Sequence, residues 1–81
     1  MSVSRKISES AVRRLSLYLR ILEDLERKGQ NTVSSEEMSG RSATTAAQVR
    51  KDLSLFGSFG KRGLGYAVTE LSERLKKILG L

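Results

Sequence analysis

The sequence predicts a mainly α (α+β) domain, a winged helix-turn-helix with a small β-hairpin wing. Three observations carry that prediction. Apolar residues recur at three- and four-residue steps in three segments, around 12–25, 46–56 and 71–79, which is the helical period. A short segment with its own capping signals stands just before the middle one, separated from it by a turn. Four glycines, at 57, 60, 63 and 65, interrupt two short apolar-aromatic runs, as a hairpin requires.

The first helix starts at Ser8 or Ser10 as cap, buries Val12, Leu15, Tyr18 or Leu19, Leu22 and Leu25, and ends at Gly29 after about Lys28. Glu9–Arg13, Glu23–Arg27 and Asp24–Lys28 are favourable i, i+4 pairs on its surface. Arg14 has no acid at either i, i+4 position and Arg20 precedes Asp24 in the weaker order. Both are therefore candidates for contact with a polyanion's phosphates, which demands little geometry.

Ser34 opens a short second helix, because Glu37 stands where a capping box needs it and Val33 can staple to Met38. Gly40 is expected to close it, with GRSATT as the turn. Thr45 with Gln48 offers a second capping box for a third helix, 45–56, whose inward stripe is Ala46, Val49, Leu53 and Phe56. That leaves Ala47, Gln48, Lys51 and Ser54 outward and Arg50 at the flank. Arg and Lys donate to guanine O6 and N7, Gln pairs with adenine, and a small Ala lets the helix sit deep in a major groove.

The wing is expected over 57–68, its loop at Lys61 and Arg62 and its return strand from Tyr66 to Val68. An arginine followed by Gly63 at a hairpin tip suits a narrow minor groove, whose negative potential attracts guanidinium. Phe56, Phe59 and Tyr66 are assigned to packing the hairpin on the core. Thr69 is the expected cap of a last helix with Leu71, Leu75, Ile78 and Leu79 on one face and Lys76 and Lys77 near its C-terminus, where cations suit the dipole. The Gly80-Leu81 ending has the look of a domain boundary.

Eighty-one residues allow one domain, 1–81, since a chain of this size buries only about 60% of its unfolded surface. Fifteen Lys plus Arg against nine Asp plus Glu give +6 and a pI near 10.2, a balance that favours nucleic acid or an acidic surface. Residues 41–62 hold five of those bases and one acid, so this middle stretch carries +4 of the +6.

The absence of Cys and His removes disulfides, thiolate metal sites and the commonest general base, which argues against an enzyme. No apolar run approaches the roughly 18 residues that span a bilayer, and no signal-peptide block follows the basic start, so a cytoplasmic protein is expected. Neither G-x-G-x-x-G nor G-x-x-x-x-G-K-[ST] can be laid over the glycine loop, which excludes a phosphate cradle. Duplex DNA is the favoured partner. An RNA-binding or a protein-interaction winged-helix module remains the alternative, to be separated by competition with structured RNA and by salt dependence.

VSSEE (33 to 37), AQVRKDLS-FG (47 to 57, with Leu55 at the variable place) and GKRGLGY (60 to 66) resemble the N-terminal winged-helix domain of the Rex redox-sensing transcriptional repressors. The resemblance runs from about Ile7 to Leu79. It implies a repressor binding palindromic operators as a homodimer, with Gln48, Arg50 and Lys51 in the major groove and Arg62 in the minor groove. Lys61, Ser54, Arg14 and Arg20 would lie on the backbone. The family also senses the NADH to NAD ratio through a following Rossmann-type domain, of which this sequence has no fingerprint. The chain is therefore expected to be the isolated N-terminal domain, without a cofactor of its own and monomeric or weakly dimeric. Leu55, where the family often has an aromatic residue, and Gly40-Arg41 depart from the family pattern at packing positions.

Overall fold

The computed structural model describes residues 8–55 and 65–81. In chain order it consists of α1 (Glu9–Arg27), β1 (Thr32–Val33), α2 (Ser35–Ser42), α3 (Ala46–Ser54), β2 (Tyr66–Ala67) and α4 (Val68–Leu79). The expected fold class holds: helices dominate, and a two-stranded antiparallel sheet joins β1 to β2 with Thr32 opposite Ala67 and Val33 opposite Tyr66. Residues 56–64, with Phe56, Phe59, Lys61, Arg62, Gly63 and the tip of the expected wing, lie outside the described residues.

Ser8 caps α1 by accepting the Ala11 N–H at 3.1 Å, which satisfies one of the first-turn donors. The helix closes as a Schellman turn: the Gln30 N–H reaches the Leu25 carbonyl and the Gly29 N–H the Glu26 carbonyl, both at 3.0 Å. Its buried face is Ala11, Leu15, Tyr18, Leu19, Ile21, Leu22 and Leu25. Val12, expected inward, is 38% exposed. At 100° per residue it lies about 100° from the centre of that stripe, so Ala11 takes its place.

α2 runs past the expected stop. Gly40 lies inside the helix, and the turn comes instead at Ala43, whose φ of 56° is left-handed, with the Thr44 N–H on the Ser39 carbonyl at 3.3 Å. Burial explains the extension: Met38 and Ser42, one turn apart, are both buried, and Ser42 donates to the Met38 carbonyl at 2.7 Å. Val33 and Met38, the expected staple pair, both belong to the core.

Two expectations near β2 are corrected. Val68 is the first residue of α4 and fully buried, not a strand residue, and its N–H bonds the Asn31 carbonyl at 2.9 Å. Thr69 is not the cap: Ala67 occupies that position without a side-chain bond, and the Thr69 hydroxyl points to Glu26 at 3.3 Å. The described partner of β2 is β1, an earlier segment. Gly65 makes that pairing possible, because at φ 76° an added Cβ would sit 2.6 Å from the Val33 carbonyl oxygen.

The core lies where α1 crosses α4 and where α2 and α3 pack beneath α1, from Leu15, Tyr18, Leu22, Leu25, Met38, Val49, Leu53, Val68, Leu71 and Leu75. Surface pairing on α1 differs in part from expectation. Asp24 takes both Lys28 at 3.0 Å and Arg27 at 3.1 Å, Glu23 faces Lys76 of α4 at 3.9 Å, and Glu9 forms no pair with Arg13. One carboxylate that reaches two cations displaces the expected Glu23–Arg27 pair. Among the described residues no helix is long and apolar enough to cross a membrane.

Candidate nucleic-acid interface

Three residues, Ala43 to Thr45, separate α2 from α3, so the helix-turn-helix expected from the caps is present. Thr45 accepts the Gln48 N–H at 3.0 Å and Ser34 accepts the Glu37 N–H at 3.0 Å. Neither capping box is reciprocal. The Glu37 carboxylate turns to Gln30 at 3.1 Å and Arg41 at 3.4 Å, and the Gln48 amide turns to Asp52. Longer side chains reach better partners than the cap N–H.

Val49 and Leu53 anchor α3 in the core while Ala47, Arg50, Lys51 and Ser54 stand exposed, as the periodicity required. The helix ends at Ser54, two residues short of the expected 56. Leu55 caps it and is 62% exposed. Ser54 donates to the Lys51 carbonyl at 2.9 Å, which satisfies one orphan acceptor of the last turn. Lys51 finds no side-chain partner among the described residues, nor does Arg20 on α1.

The other expected site residues are engaged. Arg50 donates to the buried Ser35 hydroxyl at 2.9 Å and lies 3.7 Å from Glu36, so it ties α3 to the start of α2. Gln48, expected outward, is half-buried and donates its amide to Asp52 Oδ1 at 2.9 Å. Arg14 does have an acid, 38 residues away: its Nε donates to Asp52 Oδ2 at 2.7 Å and its Nη2 to Oδ1 at 2.9 Å. An i, i+4 search on one helix could not find it.

Asp52, unremarked in the sequence, is the centre of this cluster. It is 2% exposed and also accepts the Tyr18 hydroxyl at 2.7 Å, so one carboxylate takes four hydrogen bonds from α1 and α3. Burial pushes its pKa up, but the bonds from Arg14, Tyr18 and Gln48 outweigh that and hold it below the ordinary carboxylate value. Burial, then the bond to Asp52, drives the Tyr18 phenol well above its ordinary value, and the bond to Asp52 raises Arg14. A signal did exist. Asp52 is the lone acid in 41–62, adjacent to the inward Leu53 and one turn from Gln48.

Tyr66 packs half-buried against the core, as assigned, and its burial raises its pKa. Lys61, Arg62 and Gly63 lie outside the described residues. What remains is a short helix tied down on its inner and leading edges and polar on its outer face, with one free lysine.

Residues 6–54 match the family described as "Putative DNA-binding protein N-terminus". The redox-sensing transcriptional repressor Rex of Thermus thermophilus is 54% identical over 76 residues, which cover 94% of this chain and 36% of that protein. Rex of Carboxydothermus hydrogenoformans is 55% identical over the same coverage. Among solved structures, RSP in complex with beta-NAD+ and operator DNA aligns at TM-score 0.88 and 45% identity over 96% of this chain and 36% of that one. RSP described as a Rex-family repressor aligns at 0.81 and 42%, over 95% and 35%. The chain thus spans about a third of the length of these relatives.

Proposed function

The chain belongs to the Rex family, as its N-terminal DNA-binding domain, and from that premise we propose that it reads an operator duplex with α3 in the major groove and the segment between α3 and β2 in the adjacent minor groove. The observation that carries this reading is the outer face of α3, where Ala47, Lys51 and Ser54 are exposed on a helix held by its inner edge. The likeness to RSP bound to operator DNA supports it. Lys51 and Gln48 face bases or nearby phosphates, Arg62 enters the minor groove beside Gly63, and Lys61, Ser54, Arg50 and Arg20 contact the backbone. Arg14 leaves that set, because Asp52 already holds it.

In the whole protein we place this domain in a redox-responsive repressor, cytoplasmic and not an enzyme, that acts as a homodimer on palindromic operators. NADH or NAD would bind a Rossmann-type second domain. The residues here do not fit a dinucleotide: the described strands are antiparallel and two residues long, and no glycine fingerprint precedes a helix.

Fluorescence anisotropy with an A·T-flanked palindromic duplex tests the reading. Arg62→Ala should weaken binding by about 1–3 kcal/mol, and Lys51→Ala should weaken it and lower the salt slope by about one. Unchanged affinity in both variants, or displacement of the duplex by structured RNA at equal concentration, would overturn it.

A further inference from the structure

Leu55, expected at a packing position, is 62% exposed, although it follows α3 directly and its φ of −65° keeps the helical turn. At about 100° per residue it stands about 40° around the axis from Lys51 and about 80° from Ala47, one and two turns back. Ala47, Lys51 and Leu55 therefore form one exposed row, with Ser54 beside it. Val12 and Leu17, exposed on α1, are each covered over more than half of their surface, and Leu55 is not.

A leucine offers a duplex no donor, no acceptor and no charge, so phosphates give it nothing to bind. In the major groove the base edges present hydrogen-bonding groups, and thymine adds a C5 methyl, the apolar partner available there. Leu55 lies about 6 Å past Lys51 along the axis, so a helix whose Lys51 reaches the duplex carries Leu55 within about two base pairs of that contact. We infer that Leu55 is a specificity-determining residue of the reading helix, selecting thymine by packing its isobutyl group on the C5 methyl. Cytosine, with hydrogen at that carbon, leaves the side chain short of contact, and the polar purine edges leave it against groups that need a hydrogen-bonding partner. This rests on the reading of α3 as a major-groove helix and adds to it the base and the atom that are read.

The experiment first selects a duplex for the unaltered chain from a randomised pool, then replaces each of its thymines in turn by deoxyuridine, which removes the C5 methyl and nothing else. Affinity is read by fluorescence anisotropy, and folding of each variant by a cooperative thermal melt. At one thymine the replacement should weaken the unaltered chain about fourfold, the scale of one buried methyl. In Leu55→Ala that difference should vanish, and in Leu55→Met, which keeps an apolar reach, it should remain. A Leu55 that only packs against its own chain would lower affinity on both duplexes alike and leave their ratio unchanged.

Leu55→Gln covers the case in which Leu55→Ala does not fold, since it keeps the length of the side chain without the apolar end and should also lose the difference. Indifference of the unaltered chain to every deoxyuridine, or the same ratios in a folded Leu55→Ala or Leu55→Gln as in the unaltered chain, overturns the inference while the major-groove reading stands. Failure of the unaltered chain to enrich any sequence overturns both.

Discussion

Replacing Asp52 by alanine should destabilise the domain by about 2–4 kcal/mol, a figure assembled from what each donor loses. The Tyr18 hydroxyl is fully buried, and without its acceptor it carries the desolvation cost of an orphaned donor, about 1–3 kcal/mol. The Arg14 side chain is 30% exposed and can turn to water, so its share falls well under the roughly 3–5 kcal/mol of a fully buried broken pair. Gln48 is half-buried and rehydrates at little cost. Denaturant unfolding monitored by far-UV circular dichroism should show a lower midpoint at an unchanged slope. A double-mutant cycle then checks the mechanism. Tyr18→Phe removes the hydroxyl that Asp52→Ala orphans, so the double variant should be more stable than the sum of the two losses implies. Strict additivity, or a loss in Asp52→Ala below about 0.5 kcal/mol, would refute the hydroxyl argument. The pH dependence has a fixed sign. Because the folded state holds Asp52 below its ordinary 3.8, its contribution is present above that pH and is lost as pH falls through the folded value. The gap between the parent and Asp52→Ala should therefore close in acid.

At the alkaline end the sign reverses: Tyr18 is raised above 10.0, so stability is held below pH 10 and lost as pH rises, and Tyr18→Phe should flatten that limb except for the part due to Tyr66. Gly40→Ala should stabilise by about 0.5–1 kcal/mol in thermal melts, since Gly40 lies inside α2 and an added Cβ meets nothing within 4 Å. Ala43→Gly should also raise the melting temperature, by relieving a left-handed alanine worth about 1 kcal/mol, and a lowered melt would contradict the turn geometry. Gly65→Ala should cost about 2 kcal/mol or more, from positive φ and from collision with the Val33 carbonyl; a neutral effect would mean β1 and β2 do not pair as described.

What the sequence made legible was short-range. Ser8, Ser34 and Thr45 are caps because their side chains meet an N–H three residues on, and the stripe Leu15–Leu22–Leu25 is visible because the helical period repeats within one element. What escaped was decided between elements. Gly40 carries a stop signal that the burial of Met38 and Ser42 on either side overrides. Thr69 carries a cap signal, but Val68 is needed in the core and draws the helix start forward by two residues. The candidate site divides the same way. Exposure of Lys51 and Ser54 follows from Val49 and Leu53 facing inward, and Gln48 turns to Asp52 one turn on within α3, whereas the engagement of Arg14 and Arg50 depends on contacts between helices that no single window contains.

That division explains why a polar cluster anchors α3. The helix is nine residues long and buries just two apolar side chains, Val49 and Leu53. A helix so short is marginal by itself and must be held by tertiary contacts. Widening its apolar stripe would consume the outer face on which Lys51 and Ser54 stand, and so remove what the proposed function needs. Contacts at the edges of the stripe avoid that conflict. Asp52 on the inner edge takes α1 through Arg14 and Tyr18, and Arg50 on the leading edge takes α2 through Ser35. Both bonds are directional, which packing of two small apolar residues is not, so they fix the rotation of α3 about its own axis as well as its position. A reading helix needs that rotation fixed, because turning by one residue, about 100°, would carry Lys51 out of any groove the helix entered.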